Sequence, residues 1–284
     1  MLRTFEAENL GDLWKPEMDS TGEDNGQVTI IGGSALFHGA PMLAVKAASR
    51  LVDMVFFASG ERDLEKVAKL NSFVWVPWGE VEEYIKKSDA ILIGPGMMRY
   101  RREIGDGGGD ETKEVTGILL KKFPDKKWVI DGGSLQVMEK TWIPPRAILT
   151  PNRKEFELLF NLQFTISPST SLRASNLQII SKKYKCVIVY KGPVAYVSDG
   201  ETTYEITGGN AGLTKGGTGD VLAGVIVGLA AKNPPLLAAA AGTYLVKKTA
   251  ERLYEKVGYG FNADDLAEEL MRVSLEVTKS RDLP

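Results

Sequence analysis

Residues 208–220 read GGNAGLTKGGTGD and run directly into the apolar segment VLAGVIVGLAA at residues 221–231. A glycine-rich turn followed by an apolar run indicates a loop that leads into the start of a helix. Backbone N–H groups are free at such a start and the helix dipole is positive there, so the pattern favours binding of an anion, phosphate above all. Asp220 lies at the start of the predicted helix. The alternative interpretation is a tight loop in which Asp220 only caps the helix.

Two other glycine-rich phosphate-binding motifs are absent from the sequence. Gly216 and Gly217 are not followed by Lys and then Ser or Thr, so the stretch is not a Walker A loop. No G-x-G-x-x-G sequence follows the first predicted strand, residues 28–31, so a Rossmann dinucleotide site lacks its fingerprint. The sequence therefore predicts a phosphate-binding loop of a different type.

The composition excludes several classes of site. The chain has 284 residues with 35 Lys and Arg against 37 Asp and Glu, and its formal charge is −2. This balance argues against partners bound by gross charge, so neither a nucleic acid nor a membrane is expected as a partner. The single Cys and single His, Cys186 and His38, exclude an intrachain disulfide and a Cys/His zinc cluster. With one Cys and no recognisable targeting segment, a cytoplasmic location is expected.

Short apolar runs alternate with helical patterns along the chain. Strands are predicted at residues 28–31, 53–58, 72–76, 90–93, 128–130, 147–149, 186–191, 195–198 and 202–205. Helices are predicted at residues 40–52, 63–70, 81–87, 111–123, 154–160, 171–183, 220–231, 236–256 and 264–279. Apolar strands that alternate with helices indicate an α/β protein whose mostly parallel sheet is covered on both faces. No change in composition marks a second domain, so we predict an N-terminal arm at residues 1–26 and a single domain at residues 27–284.

Several of the predicted strands end in Gly or Asp. These ends are Gly32-Gly33, Gly94-Pro95-Gly96, Asp131-Gly132-Gly133 and Lys191-Gly192. In open α/β sheets the ligand lies beyond the carboxyl ends of the strands. The sequence therefore predicts a ligand site at this edge of the sheet, with many of its glycines beside the ligand.

The order of these motifs resembles a known family. Asn210-x-Gly212 followed by GGTGD at residues 216–220 is similar to the anion hole and catalytic aspartate of the ribokinase-like superfamily. The remaining motifs narrow the resemblance to the ADP/ATP-dependent NAD(P)H-hydrate dehydratase family. They are VTIIGGS at 28–34, FHGAP at 37–41, IGPGM at 93–97, VIDG at 129–132, LTPN at 149–152 and VYKG at 189–192. The resemblance covers roughly residues 26–275 and implies a ribokinase-like three-layer α/β/α fold with a mostly parallel central sheet.

The resemblance implies a role for each matching position. Asp220 would be the base that takes a proton from the substrate hydroxyl. The residues implied to surround the transferred phosphoryl group with backbone N–H groups are Gly217, Thr218 and Gly219. Those implied to line the adenine nucleotide, ATP or ADP, are Lys191, Gly192, Pro193, Val194, Ala195, Gly219 and Asn210. Those implied to contact the hydrated nicotinamide nucleotide are Ala40, Gly96, Asn152, Asp131 and Asp220. Asn210 would also lie close to a Mg²⁺ ion.

Two positions depart from the family pattern. The family commonly has His-Pro-Gly-Glu after Leu-Thr-Pro, whereas this chain has Asn152-Arg153-Lys154-Glu155. Asn can donate a hydrogen bond to the substrate but cannot titrate near neutral pH. The family also commonly has Asp-Ala-Asp where this chain has Asp131-Gly132-Gly133, so a second carboxylate is missing. We therefore expect substrate-side or metal-side contacts that differ from those of the family.

The implied reaction repairs NADH hydrate or NADPH hydrate. The hydrate hydroxyl is phosphorylated by the nucleotide, phosphate is then eliminated, and AMP or ADP is released. Two alternatives are a small-molecule kinase of the same fold, acting on a vitamin precursor or sugar, and a nucleotide-binding protein without activity. The resemblance also implies a homo-oligomer. With about 26 residues before the first strand, an epimerase of the same pathway is expected to be a separate protein.

Overall fold

The computed structural model describes residues 1–61, 64, 71–100, 108–161 and 170–279 of the chain. The strands found in these residues form one ten-stranded sheet. Their bounds are β1 Leu2–Thr4, β2 Gln27–Ile31, β3 Met54–Ala58, β4 Val74–Val76, β5 Ala90–Ile93, β6 Lys127–Ile130, β7 Ile148–Leu149, β8 Val187–Tyr190, β9 Ala195–Ser198 and β10 Thr203–Ile206. The order across the sheet is β1-β10-β9-β8-β7-β6-β5-β2-β3-β4.

Most neighbouring strands are parallel. Every pair from β4 through β3, β2, β5, β6 and β7 to β8 is parallel. Strand β9 is antiparallel to both β8 and β10, and β1 pairs in parallel with β10 at the sheet edge. The prediction of a mostly parallel sheet is confirmed.

Helices cover both faces of the sheet. Their bounds are α1 Gly39–Ala48, α2 Val81–Lys87, α3 Gly108–Lys122, α4 Gly132–Val137, α5 Arg153–Phe160, α6 Thr170–Tyr184, α7 Thr218–Lys232, α8 Pro235–Val257 and α9 Ala263–Lys279. Short 3-10 helices lie at Ala7–Asp12, Trp78–Glu80, Lys140–Trp142, Ala211–Thr214 and Gly258–Gly260. None of the helices in the described residues is both long enough and apolar enough to cross a membrane.

The two faces of the sheet lead into separate hydrophobic cores. Ala90 and Leu92 of β5 belong to the core that α1, α7, α8 and α9 share. Ile91 and Ile93, which alternate with them, belong to the core that α2 to α6 share. Because successive side chains of a strand point to opposite faces, apolar residues at every position of β5 require both layers of helices. The prediction of a three-layer α/β/α fold is confirmed.

The structure differs from the prediction at the N-terminus and after β6. Residues Leu2–Thr4 form edge strand β1 beside β10, and Phe5 and Leu10 are buried in the core. All of β1 is exposed, so it has no apolar alternation that could predict it. Helix α4, Gly132–Val137, was not predicted either, since its two leading glycines are typical of a turn. The helix predicted at residues 63–70 falls almost entirely outside the described residues.

The carboxyl ends of β6, β7 and β8 lie side by side, and backbone hydrogen bonds between them fix the residues that follow each strand. The Thr150 N–H donates to the carbonyl of Ile130 at 3.2 Å, and the Lys191 N–H donates to the carbonyl of Pro151 at 2.9 Å. These bonds continue the parallel ladder past the strand ends. Asp131, Thr150 and Lys191 are therefore fixed at one edge of the sheet, where the sequence predicts the ligand site.

Candidate active site

The glycine-rich stretch ends at the first turn of α7. Gly217 precedes the helix with a φ of 91°, a left-handed conformation that favours glycine. The Thr218 hydroxyl donates to the carbonyls of Leu213 at 2.7 Å and Lys215 at 2.9 Å, which ties the loop to the helix. Gly217 is the capping residue and Asp220 lies inside the first turn, so the interpretation of Asp220 as a plain cap is wrong. The Thr218 N–H donates to the carbonyl of Lys215 at 3.4 Å. The N–H groups that follow in the first turn of a helix lack acceptors four residues earlier, so the start of α7 favours an anion.

Asn210 supports the same loop through both ends of its side-chain amide. Its Nδ2 donates to the carbonyl of Ala250 on α8 at 2.7 Å, and its Oδ1 accepts from the Gly212 N–H at 2.9 Å. The side chain therefore fastens the glycine-rich stretch to α8. A further contact of Asn210 with phosphate or Mg²⁺ stays a prediction.

Lys191 lies at the centre of a charged site. Its Nζ donates to Oδ1 of Asp131 at 3.0 Å and lies 3.8 Å from Oε2 of Glu155. The Thr150 hydroxyl donates to the same Asp131 oxygen at 2.7 Å. A Cβ atom on Gly219 would lie 3.5 Å from the Lys191 Nζ, which places the ammonium group against the start of α7. Lys191 thus joins the ends of three strands to the glycine-rich stretch.

We call Asp131, Glu155 and Asp220 around Lys191 the carboxylate cluster. Burial, reinforced by the negative charge of Asp131, raises the pKa of Asp220 to about 7. Burial also raises the pKa of Glu155 above its ordinary value. For Lys191, burial acts to lower the pKa of the ammonium, but the charges of Asp131 and Glu155 outweigh it and hold that pKa above its ordinary value. Near neutral pH Lys191 is charged and Asp220 is divided between acid and base, which suits a general base.

Glu155 was not among the predicted site residues. It is 8% exposed, and its Oε2 accepts from the Asn152 N–H at 2.8 Å while the Asn152 Oδ1 accepts from the Glu155 N–H at 3.1 Å. This reciprocal pair is a capping box at the start of α5. The other carboxylate oxygen of Glu155 accepts from Nε2 of Gln136 at 3.2 Å. The spacing Asn-x-x-Glu after a predicted strand is a sequence signal for the capping box, but it does not indicate the contact of Glu155 with Lys191.

A cavity of about 590 Å³ lies next to the carboxylate cluster, between the glycine-rich stretch and the residues after β8. Its lining includes the predicted nucleotide-binding residues Lys191, Gly192, Pro193, Ala195, Asn210 and Gly219, together with Thr218 and Asn152. Val194, which was predicted with them, is 36% exposed and is not part of the lining. Helix α8 adds Thr243, Val246 and Lys247, which the sequence did not predict. The sequence feature that could have pointed to Lys247 is its position as a charged residue directly after an apolar run.

The two small residues predicted to contact substrate lie together. Gly96 has a φ of 70°, and a Cβ atom there would lie 3.2 Å from the Cβ of Ala40 and would clash with the carbonyl oxygen of Phe37. One turn further along α1, Leu43 packs so closely on Gly217 that a Cβ atom on that glycine would clash with it. Ala40 and Gly96 therefore lie near the glycine-rich stretch through α1, and neither belongs to the lining of the cavity.

The missing second carboxylate after β6 has a steric reason. A Cβ atom on Gly133 would clash with the carbonyl oxygen of Met97, and one on Gly94 would clash with the carbonyl oxygen of Asp131. The loops that follow β5 and β6 are thus in contact through their backbones, and no side chain fits at Gly133. Glu155, from α5, is the residue that places a second carboxylate near Lys191.

The donors of the site fit a metal ion that arrives with a nucleotide. In the part of the chain that the structure describes, no group of three or more His, Cys, Asp or Glu side chains could hold a metal ion by itself. Asn210 and Asp131 nevertheless offer an amide and a carboxylate oxygen near the glycine-rich stretch, and Mg²⁺ typically binds one or two protein oxygens together with phosphate oxygens and water. His38 is exposed just before α1. Cys186 is buried, and burial raises the pKa of its thiol to about 12, which makes it unreactive.

Comparison with solved structures supports the fold. A ribokinase-like superfamily protein from Enterococcus faecalis matches with a TM-score of 0.79 at 22% identity, over 98% of this chain and 96% of that one. The ADP/ATP-dependent NAD(P)H-hydrate dehydratase from Bacillus subtilis, co-crystallised with ATP and Mg²⁺, matches with a TM-score of 0.78 at 22% identity, over 96% and 98% of the two chains. Both likenesses show the ribokinase-like fold.

Sequence comparison shows the family. The bifunctional NAD(P)H-hydrate repair enzyme of Methanocaldococcus jannaschii is 32% identical over 276 residues, which are 93% of this chain and 51% of the relative. The ADP-dependent (S)-NAD(P)H-hydrate dehydratase of Cenarchaeum symbiosum is 30% identical over 265 residues, 90% of each chain. This chain spans about half the length of the bifunctional relatives that it matches. The family model for NAD(P)H-hydrate dehydratase matches residues 28–272. The chain belongs to the NAD(P)H-hydrate dehydratase family.

Proposed function

We propose that this protein uses ATP or ADP to dehydrate NADH hydrate or NADPH hydrate and so restores the reduced nicotinamide nucleotide. The observation that carries the proposal is Asp220, held in the first turn of α7 beside Lys191 with a pKa of about 7. A carboxyl group with this pKa can take a proton at neutral pH, and the adjacent cavity has room for a nucleotide. The ADP-dependent relative from Cenarchaeum symbiosum supports an adenine nucleotide as the second substrate.

The proposed reaction has two stages. Asp220 takes the proton of the hydrate hydroxyl, whose oxygen attacks the terminal phosphorus of ATP or ADP, and ADP or AMP leaves. The lone pair of the ring nitrogen then expels phosphate as the C–O bond breaks, and loss of a proton from the neighbouring ring carbon restores the double bond. Phosphate leaves far more readily than hydroxide, which is why a nucleotide is consumed.

Charge stabilisation is assigned to the start of α7. The backbone N–H groups of Gly217, Thr218 and Gly219 would face the transferred phosphoryl group, and Lys191 would add a positive charge beside them. Mg²⁺ bound with the nucleotide would neutralise phosphate charge, and Asn210 would lie close to it.

The two substrates are assigned to separate places beside the glycine-rich stretch. We infer that the adenine nucleotide occupies the cavity lined by Lys191, Gly192, Pro193 and Ala195, and that the hydrate lies against Ala40 and Gly96. Asn152 lines the same cavity as Lys191 and Gly192, so it borders the nucleotide, and its predicted contact with the hydrate, as a donor without a titrating group, stays a prediction.

The test is incubation of the protein with NADH hydrate, Mg²⁺ and either ATP or ADP while the absorbance of NADH is followed. Recovery of NADH that depends on nucleotide supports the proposal. A lasting phosphoester on a vitamin precursor or sugar, with no recovery of NADH, supports the kinase alternative instead. Nucleotide binding with no turnover of the hydrate supports the third hypothesis, a nucleotide-binding protein that has no enzymatic activity.

We further propose a cytoplasmic homo-oligomer, with an epimerase acting in the same pathway. The lone thiol, Cys186, is buried and unpaired, which is typical of a reducing compartment. Tyr254, Val257 and Tyr259 leave an exposed apolar patch at the end of α8, where they are 45%, 56% and 55% exposed, and such a patch favours contact between subunits. Light scattering of the purified protein tests the oligomer.

A further inference from the structure

Lys247 of α8 is buried against the wall of the cavity. It is 5% exposed, and its Nζ donates to the carbonyl oxygens of Gly192 at 3.2 Å, Pro193 at 2.7 Å and Gly208 at 2.9 Å. Gly192 and Pro193 follow β8, whereas Gly208 begins the glycine-rich stretch. One ammonium group thus bridges two segments that line the cavity from different parts of the chain.

The geometry requires the charged form of Lys247. A neutral amine has two hydrogens, but three carbonyl oxygens accept from this nitrogen, so all three hydrogens of the ammonium are used. Burial acts against that charge and lowers the pKa of Lys247. A buried cation surrounded by backbone carbonyls has the same chemistry as an alkali-metal ion in a carbonyl site.

Helix α8 holds the glycine-rich stretch at a second point close by. The Gly209 N–H donates to Oε1 of Glu251 at 2.8 Å, one turn along from Lys247. Gly208 and Gly209 have φ values of 85° and 75°, and a Cβ atom on Gly209 would lie 3.2 Å from the Cγ of Lys247. The positive φ values favour glycine at both positions, and a Cβ atom on Gly208 would clash with Oε1 of Glu251.

We propose that Lys247 is a positioning residue that sets the distance between the two cavity walls and thereby the affinity for the adenine nucleotide. It acts through the carbonyls of Gly192, Pro193 and Gly208, in the manner of a built-in monovalent cation. The identity of the ligand rests on the proposed function, whereas the bridging contacts do not.

The first test measures binding of ADP and of ATP, each with Mg²⁺, by titration calorimetry. Lys247→Met keeps the stem and removes the charge. Because the two walls lose three hydrogen bonds to one charged group, we expect the dissociation constant to rise at least about tenfold. The matched control is Lys127→Met, because Lys127 is also part-buried and donates to the carbonyls of Ala230 and Ala231 at 3.0 and 3.3 Å, away from the cavity. We expect the control to keep wild-type affinity.

The second test uses chemical rescue of the nucleotide affinity of the folded variant. Lys247→Ala removes the side chain beyond Cβ, and propylammonium replaces the missing atoms and charge. We expect propylammonium to restore at least about half of the lost binding free energy, and tetramethylammonium, which has no N–H donor, to restore none. The thermal unfolding of each variant is measured with and without the added cation, so that affinities are compared between folded proteins, and a variant whose folding but not affinity is rescued contradicts the proposal.

Unchanged affinity in Lys247→Met would overturn the proposal, and so would equal losses in the Lys127 control or equal rescue by the two cations. Turnover of the hydrate is scored separately. A wild-type protein that binds nucleotide but does not restore NADH contradicts the proposed function and leaves the role of Lys247 standing. A wild-type protein that binds neither nucleotide contradicts both.

Discussion

Replacement of Asp220 by Asn separates the catalytic and structural effects of one carboxyl group. Asn keeps the shape of the side chain and removes the charge and the basic oxygen. Asp131 and Glu155 remain beside Lys191 in the variant, so the ammonium group keeps its contacts at 3.0 and 3.8 Å. General-base catalysis contributes about 10²- to 10⁴-fold to a rate, and we expect turnover of the hydrate to fall about 10³-fold.

The same substitution is expected to stabilise the folded protein at alkaline pH. The pKa of Asp220 rises from 3.8 to about 7 on folding, so the folded protein binds this proton more tightly than the unfolded chain. Ionisation therefore destabilises the fold progressively between those two values, and the full penalty, an upper limit of about 4 kcal/mol, is present above pH 7. Asp220 is partly exposed, and water reduces the penalty, so we expect Asp220→Asn to be more stable than the wild type by about 2 kcal/mol at about pH 8.

The assay is urea unfolding of both proteins at about pH 8 and about pH 4, combined with turnover of NADH hydrate. The stability difference should shrink to a small fraction of its value at the lower pH, where the folded carboxyl is protonated and the unfolded one is about half protonated. Turnover above about a tenth of the wild-type rate would refute the role of Asp220 as base. If Asp220→Asn is less stable than the wild type at about pH 8, the buried charge of Asp220 does not destabilise the folded protein, and the reasoning is refuted.

Three further outcomes follow from the same geometry. The value of kcat/KM should rise with pH through about 7 as Asp220 loses its proton, and a flat profile over that range would exclude it as the titrating base. Glu155→Gln removes a negative charge that raises the pKa of Asp220, so the profile should move to lower pH, and an upward shift would contradict the carboxylate cluster. Gly133→Ala introduces a clash with the carbonyl oxygen of Met97 and should lower the free energy of unfolding by about 2 kcal/mol, whereas unchanged urea unfolding would show that the loops can separate without loss.

The elements that the sequence predicted are those with local signals. Most strands and helices near the site can be predicted because each has its own apolar run or helical spacing. The phosphate-binding loop can be predicted because its glycines are concentrated within residues 208–220. The prediction of nucleotide-binding residues from the family order matches the cavity lining except at Val194. Local patterns therefore locate the edge of the sheet and the loop that the ligand meets.

The features that the sequence did not predict depend on contacts between distant residues. Strand β1 pairs with β10, about two hundred residues away in the chain, and its exposed residues carry no pattern. Lys247 reaches the carbonyl of Gly192 across 55 residues. The charge of Glu155 matters because α5 turns it toward Lys191, which no spacing within residues 152–155 can indicate.

The most direct test of the central claim is the ratio of phosphate released to NADH restored in a single reaction with NADH hydrate, Mg²⁺ and ATP or ADP. Phosphorylation followed by elimination predicts equal amounts of the two products, with both lost in Asp220→Asn. Phosphate release without NADH, or NADH recovery without consumption of nucleotide, would contradict the coupling of phosphoryl transfer to dehydration at this site.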